Sequence, residues 1–266
     1  MIAGLRHLPL GAYLPRESVV HALDPRGKLL FLLLLAVLAL FARSAVDFAA
    51  LFTVILGAAL LSRVPLGYLL RGLRPLLWLL AFTAALHALT TRQGDVLWAW
   101  GPLAVTTGGL LTAGVVALRV LFLVAASSLL TLTTSPLALT DGFARLLSPL
   151  RRFGVPVAEL ALMMSVALRF VPTLLEEAER IARAQAARGA DFTTGPLARR
   201  AQHLLALLVP LFVGAFRRAE ELALAMEARG WRGGEGRTRL RPLVWTRRDA
   251  VLIPLALVLS AVMWWA

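Results

Sequence analysis

Long uncharged runs alternate with short arginine-bearing breaks along this chain. Leu29 to Ala42 is the first run, 14 residues without a charge. That is short for a membrane crossing, which takes roughly 20 apolar residues. Ala45 to Ser62 follows, broken by Asp47, and the two runs predict a membrane hairpin turning at Arg43-Ser44. Pro75 to Thr91 predicts a third span. Gly101 to Thr140 contains a long fourth one, interrupted by Arg119. Ala250 to Trp265 predicts a last span, closed by Trp264 and Trp265, the side chains favoured where hydrocarbon meets water.

Between the fourth and last spans the pattern changes from solid apolar to helical amphipathic. Pro172 to Arg188 reads as one helix, with Leu174, Ala178, Ile181 and Gln185 recurring on one face. Glu176–Arg180 and Glu179–Arg183 are acid-first i,i+4 pairs, the favourable order. Gly195-Pro196 punctuates, and a second helix is predicted from about Leu197 to Arg229. Inside it lies HLLALLVPLFVGAF, His203 to Phe216, with Arg199-Arg200 before and Arg217-Arg218 after. Paired arginines at both ends oppose a crossing. The segment reads as a helix buried against other helices or lying at the membrane surface; the alternative is two further spans within 153–216. Ala178, Ala182 and Ala186 on one helix and Ala215, Ala219 and Ala223 on the other form small-residue ridges that let two backbones cross closely. Gly189 and Gly230 stand where a glycine ends each helix. Gly233-Gly234-Glu235-Gly236 makes a link to the last span.

Composition explains these runs. The chain of 266 residues is 59% hydrophobic and only 16% charged, with mean hydropathy +0.77. Soluble domains carry about a quarter charged residues, so the apolar surplus predicts a bilayer partner. The net charge is +13, and all but one of the 28 basic residues are arginine. With the N-terminus in the cytoplasm and five spans, residues 1–28, 62–74 and 141–248 hold 4, 3 and 18 Lys/Arg. Outside, only Arg43 and Arg92 remain. This obeys the positive-inside rule. It divides the chain into a membrane region 1–140 with four spans, a cytoplasmic region 141–248 and a C-terminal span 249–266. The expected class is an all-α integral membrane protein with about five transmembrane helices and two long crossing cytoplasmic helices. The first 28 residues show no signal-peptide core or cleavage site.

Several chemistries are excluded. There are no cysteines, so no thiolate metal site, disulfide or Cys nucleophile. No phosphate-binding Gly-x-x-x-x-Gly-Lys-Ser/Thr is present, since the lone Lys28 precedes Leu29; the chain is not its own ATP-driven motor. No nucleophile elbow or acidic diphosphate cluster exists. His7, His21, His87 and His203 lack ligand spacing. Glu176, Glu177 and Glu179 spread over a helix surface and are better explained by their arginines than by a metal. No basic run is interleaved with stacking aromatics, which argues against nucleic acid. No catalytic residue, metal or cofactor is expected.

Two Ala-Arg-Gly triplets carry the sharpest hypothesis. Ala187-Arg188-Gly189 and Ala228-Arg229-Gly230 each close a charged helix in the region expected on the cytoplasmic side. One reading is that each cation complements its helix dipole, about 0.3–1 kcal/mol. The other is that an exposed guanidinium at a helix tip docks bidentately with a partner carboxylate. Repetition at two helix ends favours the second. Arg119 is either a functional charge in the membrane or a structural, snorkelling one, with Asp47 as its candidate acid. Asp24-Pro25-Arg26-Gly27-Lys28 reads as a cap on the first span, with its basic residues near lipid headgroups, or as a pin holding the N-terminus to the arginine-rich region. A membrane-bound lipid or prenyl transferase would need clustered acids or histidines. A self-contained transporter would need polar groups converging at mid-membrane, where only Arg119 qualifies.

With these residues in view, the chain resembles the transmembrane T component of energy-coupling factor (ECF) transporters, the CbiQ/EcfT family, which import vitamins and transition-metal ions. The resemblance is carried by LDPRGKLL near the N-terminus and by Leu130 to Leu160. It continues through ALRFVPTLLEEAERIARAQAARGADF and AFRRAEELALAMEARGW. It covers nearly the whole chain, most strongly 119–232. It implies a non-catalytic subunit in the cell membrane whose two long helices are coupling helices. Arg188 and Arg229, with their flanking Ala187, Gly189, Ala228 and Gly230, would dock into two ABC-type ATP-binding subunits. Ala178, Ala182, Ala186, Leu208, Leu211, Phe212, Ala215 and Ala219 would form the crossing and hold a small membrane S component that binds the substrate. Arg169 and Pro172 would mark the turn before the first coupling helix, and a further helix would lie within 141–170. The resemblance favours the shared module serving several S components over a dedicated cobalt or nickel permease.

Overall fold

A computed structural model describes residues 13–91, 93–100, 103–191, 196–231, 233 and 243–265. The described residues are helical except for one hairpin: α1 (Pro25–Phe41), α2 (Ala45–Leu61), α3 (Leu66–Thr90), strands β1 (Val96–Trp100) and β2 (Leu103–Thr106), then α4 (Thr107–Thr133), α5 (Pro136–Leu146), α6 (Val157–Ala187), α7 (Leu197–Ala228) and α8 (Leu252–Trp265). Short 3-10 turns stand at Ser148–Phe153 and Asp249–Val251. The chain divides into two compact units. One is drawn from Leu146–Arg241; the other combines Gly11–Arg145 with Pro242–Ala266. By length and composition α4 and α6 are able to cross a membrane, and α3 is a third if its two halves, bent by 56° about Pro75, count as one span. α1, α2 and α8 are shorter apolar helices.

In the unit of α1–α5 and α8, the core is Leu35 and Ala39 of α1, Leu51 and Ile55 of α2, Phe122, Ala126 and Leu129 of α4, and Leu259 of α8. Phe48 and Phe122 stack with ring centres 6.1 Å apart. The helix starts are set by short polar side chains. Asp24 caps α1, accepting the Arg26 N–H at 2.8 Å. Ser44 and Asp47 form a capping box on α2: the Ser44 oxygen accepts the Asp47 N–H at 3.1 Å, and Asp47 Oδ2 accepts the Ser44 and Arg43 N–H groups at 2.9 and 2.8 Å. Asp47 therefore serves a helix start and not Arg119. Arg119 instead donates from Nη2 to the carbonyl of Ala42 at 2.7 Å, satisfying an oxygen at the end of α1.

The Asp24–Lys28 segment caps α1 as its sequence reading expected, and its charged side chains are engaged within the protein. Lys28 is 8% exposed. Its ammonium donates to the Thr133 carbonyl (3.1 Å), the Thr134 hydroxyl (3.0 Å) and the His21 carbonyl (3.3 Å). The Asp249 carboxylate, 1% exposed, accepts the Asp24 N–H at 2.6 Å, the Thr246 N–H at 2.7 Å and the Thr246 hydroxyl at 2.6 Å. Arg26 pairs with Asp24 at 2.8 Å and reaches the Leu243 carbonyl at 3.1 Å. So the segment is an internal knot that pins the start of α1 to the stretch before α8, with Lys28 buried inside it. Hydrophobic periodicity could not show this, because the partners lie more than 100 residues away in sequence.

The β-hairpin between α3 and α4 was not foreseen. Val96 pairs with Thr106 and Trp100 with Leu103, with an irregularity between Val96 and Trp98. Thr106 anchors it: its hydroxyl donates to the Thr91 carbonyl at 2.7 Å and accepts the Gly109 N–H at 3.0 Å, capping α4. β1 lies in the loop between the third and fourth predicted spans, and β2 inside the stretch Gly101 to Thr140 that was read as containing the fourth.

Candidate functional site

The other unit is built on α6 and α7. The sequence started the first of these helices at Pro172; α6 starts at Val157 and carries Pro172 in its interior. The ring costs one N–H bond there, and the apolar turns on either side continue the helix through it. A further helix does precede the two long ones: α5 ends at Leu146, and the rest of 141–170 holds the 3-10 turn and the start of α6. Arg169 and Pro172 are both exposed.

α6 and α7 pack on each other through a few particular contacts. Ala182 is buried. Gln185 Nε2 donates to the Ala206 carbonyl at 3.3 Å. The Glu177 carboxylate on α6 and the Arg218 guanidinium on α7 form an ion pair, with side chains 21% and 31% exposed. Gly214 makes room for it: a Cβ there would stand 3.1 Å from Glu177 Oε1. Of the expected intrahelical pairs, Glu179–Arg183 is formed at 3.4 Å. Ala178, Ala215 and Leu211 are half-buried, while Ala186, Ala219, Ala223, Leu208 and Phe212 are exposed. The Glu177–Arg218 link and Gly214 escaped the sequence reading. Glu177 was grouped with its helical neighbours, although alone among the three glutamates it has no arginine four residues on.

The two Ala-Arg-Gly triplets end these helices in the same way. Each arginine is the last half-helical residue, with φ −89°, ψ 10° at Arg188 and φ −86°, ψ 7° at Arg229. Each glycine is left-handed, φ 87° at Gly189 and 73° at Gly230. Behind them the same two hydrogen bonds close. The Gly189 N–H bonds the Ala186 carbonyl at 3.0 Å and the Ala190 N–H bonds Gln185 at 3.0 Å; the Gly230 N–H bonds Glu227 at 2.8 Å and the Trp231 N–H bonds Met226 at 3.0 Å. These are Schellman caps. Ala187, Arg188, Gly189, Ala228, Arg229 and Gly230 are all exposed, and a Cβ on either glycine would meet nothing within 4 Å. The indole N–H of Trp231 is buried with no hydrogen-bond partner among the described residues.

This geometry arms each helix tip with one cation. The caps take up the Gln185 and Ala186 carbonyls and those of Met226 and Glu227 through backbone N–H groups, without either guanidinium. Both arginines stand exposed at their helix tips. No group of His, Cys, Asp or Glu able to hold a metal ion occurs among the described residues.

A family model described as CbiQ, cobalt transport protein, matches residues 16–240. The chain belongs to the CbiQ/EcfT family. Among its relatives, the energy-coupling factor transporter transmembrane protein EcfT of Brevibacillus brevis is 51% identical over 98% of this chain and 99% of its own length. The proteins of the same name from Bacillus subtilis and Heliobacterium modesticaldum are 48% and 49% identical, over 96% and 98% of both chains. Membership makes this CbiQ/EcfT protein a non-catalytic membrane subunit of an energy-coupling factor transporter.

Proposed function

We propose that this T component couples two ABC-type ATP-binding subunits, separate from this chain, to a small membrane S component that binds a vitamin or transition-metal ion. Arg188 and Arg229 are the contact points with the ATP-binding subunits, one tip to each. The observation that carries this is the twin cap: two exposed guanidiniums on helix ends of matching backbone geometry. The S component lies on the apolar faces of α6 and α7, where Met163, Leu204, Leu208, Phe212 and Phe216 are all exposed. Exposed apolar surface on this scale marks a partner or lipid. ATP-driven closure of the two subunits moves the coupling helices and tips the S component in the bilayer to release its cargo. The reading favours a module shared by several S components.

We place the protein in the cell membrane, with the N-terminus and residues 141–248 in the cytoplasm, 1–140 and 249–266 holding the spans. The arginine distribution supports that orientation. Within that cytoplasmic stretch, the apolar first half of α6 lies along the membrane surface and its charged second half projects away from it.

Truncating one member of a buried charge pair at an interface costs about 2–5 kcal/mol, much of it from the stranded charge. The test is a pull-down of the protein from its native membrane, beside Arg188→Glu combined with Arg229→Glu. Two ATP-binding subunits recovered with the wild type and lost with the variant is the expected result. ATP-binding subunits retained by the variant would refute the role of the arginines.

A further inference from the structure

In the unit of α1–α5 and α8, four helices leave a cavity of about 450 Å³ where α1 and α8 begin and α2 and α4 finish. Pockets for small ligands run from about 300 to 1,000 Å³. Its wall is hydrocarbon from Phe31, Leu35, Ile55, Ala58, Leu129 and Leu255. Lys28 lies on the wall, but its donors are already directed at Thr133, Thr134 and His21. Val19, Leu61 and Arg248 also line a second, polar cavity of about 850 Å³, whose other walls include Arg16, Arg63, Glu17 and His21. An apolar slot therefore shares part of its wall with an open recess lined by three arginines and one glutamate. Burial pushes the His21 imidazole below its ordinary pKa, so it adds little charge of its own near neutrality.

Arg63 supplies a second, independent observation. It follows the end of α2 with φ 55°, the left-handed region. At the corresponding place after α6 and α7 the chain has Gly189 and Gly230. Any residue with a Cβ is disfavoured there. The strain is held by Arg16, whose Nη1 donates to the Arg63 carbonyl at 2.8 Å. An arginine is thus kept where glycine would fit more easily, at the junction of an apolar slot and a basic recess.

We propose that the two cavities form one binding site for an anionic phospholipid. One acyl chain occupies the apolar slot, and the phosphate meets Arg16, Arg63 and Arg248. A basic recess between helices at a membrane surface fits an anionic headgroup. The helix ends that frame it face the cytoplasmic leaflet in the orientation proposed above. The inference goes beyond the coupling reading and stands if the docking role of Arg188 and Arg229 fails.

The test titrates the purified full chain with phosphatidylglycerol, phosphatidylcholine or inorganic phosphate, read by native mass spectrometry. Phosphatidylglycerol should bind at least tenfold more tightly than phosphatidylcholine, since each basic residue near an anionic headgroup contributes roughly fivefold. Arg63→Gly removes the guanidinium and relieves the backbone, so the variant should be as stable as the wild type and lose about fivefold of that preference. Gly57→Leu enters the slot from α2, where a Cβ meets nothing within 4 Å, and should abolish retention of both lipids while α2 stays folded. Equal affinity for the two lipids, wild-type binding by both variants, or displacement of phosphatidylglycerol by inorganic phosphate would each overturn the proposal; the last would mark a free-phosphate site.

Discussion

The Glu177–Arg218 pair joins the two long helices, and its contribution can be measured by a double-mutant cycle. The side chains are 21% and 31% exposed, which places the pair between two regimes. Fully exposed pairs contribute about 0.2–1 kcal/mol. Removing one partner of a fully buried pair costs about 3–5 kcal/mol. For this pair, Glu177→Gln or Arg218→Met alone should cost about 1–2 kcal/mol, close to a tenfold shift in the folding equilibrium. The double variant should cost less than the sum by about 1 kcal/mol, because each single change strands a half-buried partner. Gly214→Ala gives a third reading: its methyl would sit 3.1 Å from Glu177 Oε1 and displace the carboxylate. The assay is reversible unfolding of the purified chain in mixed micelles, followed by far-UV circular dichroism. The same variants are then tested for ATP-driven uptake in the assembled transporter. Loosening α6 against α7 should lower uptake per ATP hydrolysed more than it lowers hydrolysis. If the single effects add within about 0.3–0.5 kcal/mol, the pair is no link between the helices and the reasoning fails.

Two other expectations follow from local geometry. Gly189→Ala and Gly230→Ala meet no steric obstacle, so the left-handed backbone alone sets the cost, about 1–2 kcal/mol per site; each should fray the helix tip and weaken capture of ATP-binding subunits although both arginines remain, and unchanged capture would show that cap geometry does not position them. Asp249→Ala removes the acceptor for two backbone N–H groups and a hydroxyl at a site 1% exposed; at about 1–3 kcal/mol per stranded buried group the variant should fail to accumulate in the membrane, with Asp249→Asn milder, and a wild-type melting temperature for the alanine variant would contradict the knot.

Much of the fold was legible because membrane helices write themselves in long apolar runs. α2 begins at Ala45 and α7 at Leu197, as periodicity and punctuation required. The twin triplets were legible for a different reason: a Schellman cap is a local structure, and glycine at its left-handed position is a strong signal. The start of α6 was not legible, since proline reads as a boundary and only the packed helix shows that it is absorbed. Nor were the Asp24–Asp249 and Lys28–Thr133 contacts, which join residues with no common period. The Glu177–Arg218 link was partly visible: a glutamate with no arginine four places on is a residue in search of a partner on another helix.

The repetition of the helix cap has a further meaning. A single polypeptide has no twofold axis, and α6 and α7 share little sequence beyond their ends. Yet their final residues are nearly superposable in backbone angle, each bearing one outward guanidinium. On the docking role proposed above, local duplication offers two equivalent plugs without duplicating a domain. Sockets of one design suffice to receive both, whether they come from two copies of one protein or from two relatives of it. The helix bodies behind the tips stay free to differ, each suited to its own neighbours.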